Sequence, residues 1–201
     1  MFIPTVIDKT ANGERSFDIY SRLLEDRIVF ITGEIDDVMA NTVIAQLLYL
    51  ESKDTKREIS LYINSPGGIS QCGLAILDTM RYLKSPISTI CLGLCASAAS
   101  LLLAGGEVGK RYILPHSKVM IHQPWGGVKG QITEIEIYYK EGVKDRDNYA
   151  TLLAEFCNKS KEKILQDIER DNYMNAFEAI EYGVVDKILT PERLQNLEKT
   201  E

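Results

Sequence analysis

The sequence is poor in histidine, tryptophan, basic runs and long apolar stretches, and each shortage excludes something. There are two histidines, His116 and His122, and one tryptophan, Trp125, among 201 residues. If the chain carries out nucleophilic catalysis with an imidazole base, one of those two histidines must be that base. Lys and Arg number 23 against 29 Asp and Glu, a formal charge of −6. That balance, with no cluster of cations, argues against a nucleic-acid partner, which needs a basic face. No stretch approaches the roughly 20 apolar residues that span a bilayer, so no membrane partner is expected. The most apolar stretch, Ile87 to Ala104, is interrupted by Ser, Thr, Gly and Cys and reads as a buried strand plus helix. The opening MFIPTVIDKT lacks a basic region followed by a long apolar core, so no secretory signal is expected and the expected compartment is cytoplasmic.

Two kinds of site are also missing. The four cysteines, Cys72, Cys91, Cys95 and Cys157, occur without an export signal and are expected to be buried, reduced thiols. Cys91 and Cys95 are close in sequence, but no His or Cys pair supplies the other half of a zinc site. The segment Gly105-Gly106-Glu107-Val108-Gly109-Lys110-Arg111 resembles a phosphate loop. The required first glycine falls on Ala104, however, and Arg111 stands where Ser or Thr should follow the lysine. No metal or cofactor is expected.

What is present is an ordinary globular composition, 45% apolar and 26% charged, with strand and helix patterns alternating. Strands are expected at Ile28 to Thr32, Ile59 to Asn64 and Ile87 to Leu92. Helices are expected from about Asp37 to Glu51, from about Ser70 to Leu83, and from after Gly93 through Leu103. This alternation argues for an α/β fold with largely parallel strands and right-handed crossovers. Short strands at Lys110 to Ile113 and Lys118 to Ile121 precede Pro124 to Gly130, which cannot be helical and suits an extended ribbon. A long helix from Gln131 to about Phe156 exceeds what a core needs, so part of it should project. Asn175 with Glu178 three residues on forms a capping box for a helix through Tyr182, stopped by Gly183. Val184 to Leu189 closes the pattern as a last strand. One domain, 1–201, with a projecting element is the simplest organisation.

Three segments could carry chemistry. His122 follows the apolar strand Val119-Met120-Ile121, where α/β sheets place catalytic groups; His116 lies in a turn and should be exposed. Either histidine, taken alone, is more simply structural. Ser97 lies at a strand–helix junction among Ala96, Ala98 and Ala99, where helix N–H groups favour developing negative charge. On that segment alone a helix N-cap serine is the plainer reading. Asn64-Ser65-Pro66-Gly67-Gly68 is sharper, because adjacent glycines after a strand let the backbone come close to a ligand and aim N–H groups at an oxyanion or phosphate; a plain tight turn is the alternative. Asp171, between two expected helices, could face a cleft, as could many of the other acids.

Together and in this order, these segments resemble the proteolytic-subunit family of caseinolytic (Clp) proteases. The likeness runs from Ile3-Pro4-Thr5-Val6 and Asp18-Ile19-Tyr20-Ser21-Arg22-Leu23-Leu24 through Asn64-Ser65-Pro66-Gly67-Gly68 and Met120-Ile121-His122-Gln123-Pro124. It ends at Glu169-Arg170-Asp171 and Glu181-Tyr182-Gly183-Val184-Val185-Asp186. The resemblance implies a crotonase-like spiral of strand–helix units with a projecting handle at about 123–157 and an axial gate formed by 1–15. It implies a serine endopeptidase with Ser97 as nucleophile, His122 as general base and Asp171 orienting the imidazole. The N–H groups of Gly68 and Ala98 would form the oxyanion hole. Gly68, Ile69 and Ser70, with Trp125, Gly126 and Gly127, would pair with the substrate backbone as an added strand.

By the same resemblance, two seven-subunit rings would stack through the handles into a chamber. A separate ATP-driven unfoldase of the AAA+ type would feed it unfolded polypeptides and dock at Tyr62, Tyr82, Ile90, Tyr112, Leu114 and Leu189. Arg170 resembles the residue that links ring contacts to the site. The sequence departs from the family pattern at Ala98, usually Met, at Cys95, usually Ala, at Ser60, often aromatic, and at Glu192, commonly basic, with Arg193 one place later. These departures suit a divergent second paralogue working in a mixed ring. Two rivals follow: a non-catalytic ring subunit, and a crotonase-type acyl-CoA enzyme, which would rely on carboxylates and need no Ser97 with His122.

Overall fold

A computed structural model describes residues 3–10 and 13–190. Strands β1 (Thr5–Thr10) and β2 (Gly13–Asp18) form an antiparallel hairpin. Helix α1 (Ile19–Glu25) follows, capped by Asp18, whose carboxylate accepts from Ser21 N–H at 3.0 Å. Then come β3 (Ile28–Thr32), α2 (Asp37–Lys53), β4 (Ile59–Ser65), α3 (Ser70–Tyr82), β5 (Ile87–Ala96) and α4 (Ala98–Ala104). Strands β6 (Arg111–Ile113) and β7 (Lys118–Ile121) precede the long α5 (Ile132–Cys157), then α6 (Lys161–Asp167), β8 (Asn172–Met174), α7 (Ala176–Tyr182) and β9 (Lys187–Ile188). The strands run β3-β4-β5-β6-β9, all parallel; β7 branches from β5 in parallel and pairs antiparallel with β8. The α/β reading with mostly parallel strands holds.

The core follows from alternation. In β3 and β4 every second residue, Val29, Ile31, Ile59, Leu61 and Ile63, is buried. The stripe Ala40, Val43, Leu47 and Leu50 of α2 and Cys72, Ile76, Leu77 and Met80 of α3 join the same cluster. All seven residues of α4 are buried, and all but Ser100 are apolar, as a helix enclosed on every side requires. Each fully buried Leu or Ile contributes about 1.5–3 kcal/mol relative to exposure.

Two buried arginines hold the frame. Arg27, 4% exposed and at φ 64°, donates to the carbonyls of Glu58, Leu50, Asp54 and Arg57 and to Ser85 Oγ at 2.9–3.1 Å. Those bonds satisfy a buried cation with main-chain oxygens, which the desolvation cost demands. Arg111 forms a two-pronged pair with Asp186, Nε to Oδ2 at 3.0 Å and Nη2 to Oδ1 at 2.6 Å. Burial alone would raise the Asp186 carboxyl, but the bonds from Arg111 side chain and backbone outweigh it and hold the group below the ordinary carboxylate range.

The expected strand ending at Leu92 is corrected: β5 runs on to Ala96, and α4 starts only after Ser97. The strand serves two neighbours, with Thr89–Cys91 paired to β6 and Leu94–Ala96 to β7. Gly93, at φ +75°, turns the chain between them, and Asn64 Oδ1 accepts from Leu94 N–H at 3.2 Å. The last strand is likewise shorter than Val184 to Leu189, because Val184 and Val185 are buried and donate N–H bonds to Ala179 O instead. The Asn175–Glu178 capping box is present in both directions, at 2.7 and 3.1 Å, and Gly183 ends the helix at φ +93°.

Residues 131–142 of the handle region are exposed on nearly every side, including Ile132, Tyr138 and Tyr139. Residues 124–130 are neither helix nor strand. The hairpin, α1, α6 and β8 had no counterpart in the sequence reading. Of the expected gate, residues 1, 2, 11 and 12 lie outside the described residues, as do Glu192 and Arg193. All four cysteines are free and buried. Burial pushes the Cys157 thiol up to about 11 and that of Cys95 well above its ordinary value, which disfavours the thiolate at both. Among the described residues no helix is long and apolar enough to cross a membrane.

Candidate active site

Ser97 is the link between β5 and α4, and it adopts φ 56°, ψ −125°. A non-glycine residue rarely takes a positive φ, and such strain persists only where the surroundings over-determine it. They do so here. Ser97 N–H donates to Met120 O at 2.9 Å. Ser97 O accepts from Ser100 N–H at 3.0 Å, from Ser100 Oγ at 2.6 Å and from Tyr149 Oη at 3.4 Å. The main chain is clamped on both sides while the hydroxyl makes no capping bond. Ser97 does stand at the N-cap position of α4, as the plainer sequence reading has it, but its hydroxyl does not accept from the helix as an ordinary N-cap serine would.

The Gly67-Gly68 turn lies against this junction. A Cβ on Gly67 would stand 2.7 Å from Ala96 O, 2.7 Å from Ser97 Cβ and 3.0 Å from Ala98 N. Gly67, at φ +90°, gives its N–H to Ser65 Oγ at 3.1 Å. Its carbonyl accepts from Ile35 N–H at 2.9 Å, and Ile69 N–H donates to Ile35 O at 2.9 Å, a parallel bridge centred on Gly68. None of those bonds uses the N–H of Gly68, and Ala98 N–H, in the first turn of α4, has no acceptor within its helix. Ala98 N–H directly follows Ser97 in the chain, and the glycine turn packs against the same junction through Gly67. Gly67 is the residue that sequence reading missed; the glycine pair marked the turn, but only the packing tells which member touches the serine.

His122 immediately follows β7, and its side chain is 13% exposed. Its Nδ1 lies 3.0 Å from Asp171 Oδ1, and its Nε2 is buried with no hydrogen-bond partner. The strand register explains the meeting. β7 and β8 run antiparallel with Ile121 opposite Asn172, which puts residue 122 beside residue 171 at the open end. Gln123 N–H to Ile168 O at 2.7 Å fastens the same corner. Arg170 is exposed and pairs with Glu169 at 2.9 Å. His116 is exposed in the turn between β6 and β7.

Ser97, Ala98 and His122 line one cavity, walled by Gly73, Leu74 and Leu101 and by Asp145 and Tyr149 of α5. Ser70, Pro124 and Asp145 also border an adjoining groove that includes Trp125, Gly126 and Gly127. Ser70 and the ribbon expected to hold substrate therefore face one groove, while Ile69 stands partly exposed beside it. Of the expected docking residues, Tyr62, Ile90 and Tyr112 are register partners and share one row across the sheet. Phe30, opposite Tyr62, extends that row and had not been anticipated. Ile90 is 4% exposed, Tyr82 82%; Leu114 is exposed and Leu189 half-buried.

A parallel α/β sheet fed by strand–helix units, with a long helix whose first half is exposed, is the architecture of the ClpP/crotonase-like class. The family model described as Clp protease matches residues 11–192, and the chain belongs to that family, a family of peptidases.

Proposed function

We propose that this chain is a serine endopeptidase, the proteolytic subunit of an ATP-dependent Clp protease. Ser97 attacks the scissile carbonyl, His122 Nε2 takes its proton, and Asp171 holds Nδ1–H and steadies the imidazolium. The N–H groups of Gly68 and Ala98 receive the oxyanion. The observation that carries the reading is the Asp171–His122 contact at 3.0 Å, with Nε2 buried, unpartnered and lining the same cavity as Ser97. Ser97 Oγ and Nε2 are not hydrogen-bonded, a looseness common in substrate-free sites that tightens in the bound complex. Fluorophosphonate labelling tests the reading: specific modification of Ser97 supports it, and an inert Ser97 would leave a non-catalytic ring subunit.

The chamber, the axial gate near residues 1–15, the handle at about 123–157 and the unfoldase docking row complete the proposal. Short peptides should be cut without ATP, whereas folded proteins should require an added unfoldase and ATP. Unassisted degradation of a stable folded protein by this chain alone would contradict it.

Ala98 offers a further check. Its amide can serve the oxyanion whatever its side chain, but its Cβ borders the cavity and would lie 2.9 Å from a Cβ on Gly73. Ala98→Met should therefore fill the cavity and disfavour the bulkiest residues before the cut, by about tenfold or more on the scale of 1–3 kcal/mol per methylene. Peptide-library profiling of both proteins measures this. Identical profiles would remove position 98 from the pocket.

A further inference from the structure

We propose that Asp145 gives this site a preference for a basic residue, lysine or arginine, immediately before the bond that is cut. The inference rests on the peptidase reading and deepens it. Asp145 and Tyr149 are four apart on α5, so they share the helix face turned to the Ser97 cavity. Most of the remaining wall, Gly73, Leu74, Ala98, Leu101 and Pro124, is apolar or neutral. The Asp145 side chain is half-buried, and among the described residues its one side-chain hydrogen bond comes from Gln71 Nε2 to Oδ2 at 3.3 Å. No hydrogen bond to Oδ1 occurs among the described residues. No lysine or arginine nitrogen among the described residues forms an ion pair with it. Of the cations next to it in sequence, Lys144 pairs with Glu141 at 2.6 Å and Arg146 Nη2 lies 3.5 Å from Asp147, while the Arg146 Nε is buried without a hydrogen-bond partner.

A lone carboxylate at the edge of a largely apolar hollow selects by charge. A lysine or arginine side chain can lay its methylene stem along Leu74 and Leu101 and bring its cation to Oδ1. A leucine there would strip water from the carboxylate and return no bond, and a glutamate would meet a like charge. Tyr149 supplies no charge: burial raises its phenol, and the hydroxyl is bound to Ser100 Oγ at 3.0 Å.

The experiment uses peptidyl diphenyl phosphonates of one sequence carrying a lysine, leucine or glutamate analogue at the reacting position. The rate of Ser97 modification is read by mass spectrometry, beside a small fluorophosphonate that does not enter the pocket. The lysine probe should react at least tenfold faster than the leucine probe, with the glutamate probe slowest. Asp145→Asn should erase that ratio and Asp145→Glu should keep most of it. A leucine probe as fast as the lysine probe, or a lysine preference that survives Asp145→Asn, overturns the proposal while fluorophosphonate labelling of Ser97 leaves the peptidase reading standing. Failure of the small fluorophosphonate to modify Ser97 at all overturns both.

Discussion

Ser97→Ala is expected to abolish peptide cleavage, with kcat falling by a factor on the order of 10⁶, as for a triad nucleophile elsewhere. The loss should come without loss of fold. The serine contributes to the β5–α4 junction through its main chain, held by Met120, Ser100 and Tyr149, and its hydroxyl caps nothing. Alanine inherits the same φ of 56° and the same main-chain bonds, so the melting temperature should move little. His122→Ala should cost nearly as much, and the double variant little more, because a nucleophile and its base act as a unit. Peptidase assays beside thermal melts of each variant separate chemistry from folding. Substantial cleavage by Ser97→Ala would reject the assigned nucleophile.

What was legible in the sequence was local. β3 and β4 announce themselves by alternation, α7 by its Asn175–Glu178 box, and the end of α7 by Gly183. His122 could be placed at a strand end from three apolar residues before it. Asp171 could not be chosen by chemistry from 29 acids, because what selects it is the antiparallel register of β7 against β8. β8 is three residues long, with no pattern of its own; only the family resemblance named Asp171 in advance. The length of β5 was misjudged for the same reason. Its last three residues are strand because β7 is there to bond them, and β7 lies more than 20 residues on. The β1–β2 hairpin escaped notice because the side chains of β2 are almost all exposed, so no buried face imposes a period. Asp145 sits in a helix whose first half faces solvent, and nothing in its neighbours marks it as facing a cavity.

The turn beneath the serine gives the second large effect. Gly67→Ala is expected to lower kcat/KM by about a hundredfold, the penalty of misplacing reacting groups by an ångström or less. The new Cβ would need the space held by Ala96 O and Ser97 Cβ, each 2.7 Å away, and by Ala98 N at 3.0 Å. Separations below 3.0 Å are not tolerated, so the turn or the serine must shift, and the three atoms belong to the proposed nucleophile, to the residue before it and to the proposed oxyanion donor after it. An alanine at φ +90° is itself strained, by roughly 1–3 kcal/mol. Gly68→Ala provides the contrast. Its Cβ would strike the main chain of Ile35, at N, C and O. That collision breaks the bridge carrying the turn, so Gly68→Ala should lower the melting temperature more than Gly67→Ala does. Both variants should lose activity, and Gly67→Ala should lose it with the smaller loss of stability. Fluorophosphonate labelling rates, peptide kcat/KM and thermal melts on the two proteins decide the matter. A Gly67→Ala protein with undiminished kcat/KM would show that the close approach of the glycine turn to Ser97 has no part in placing the nucleophile.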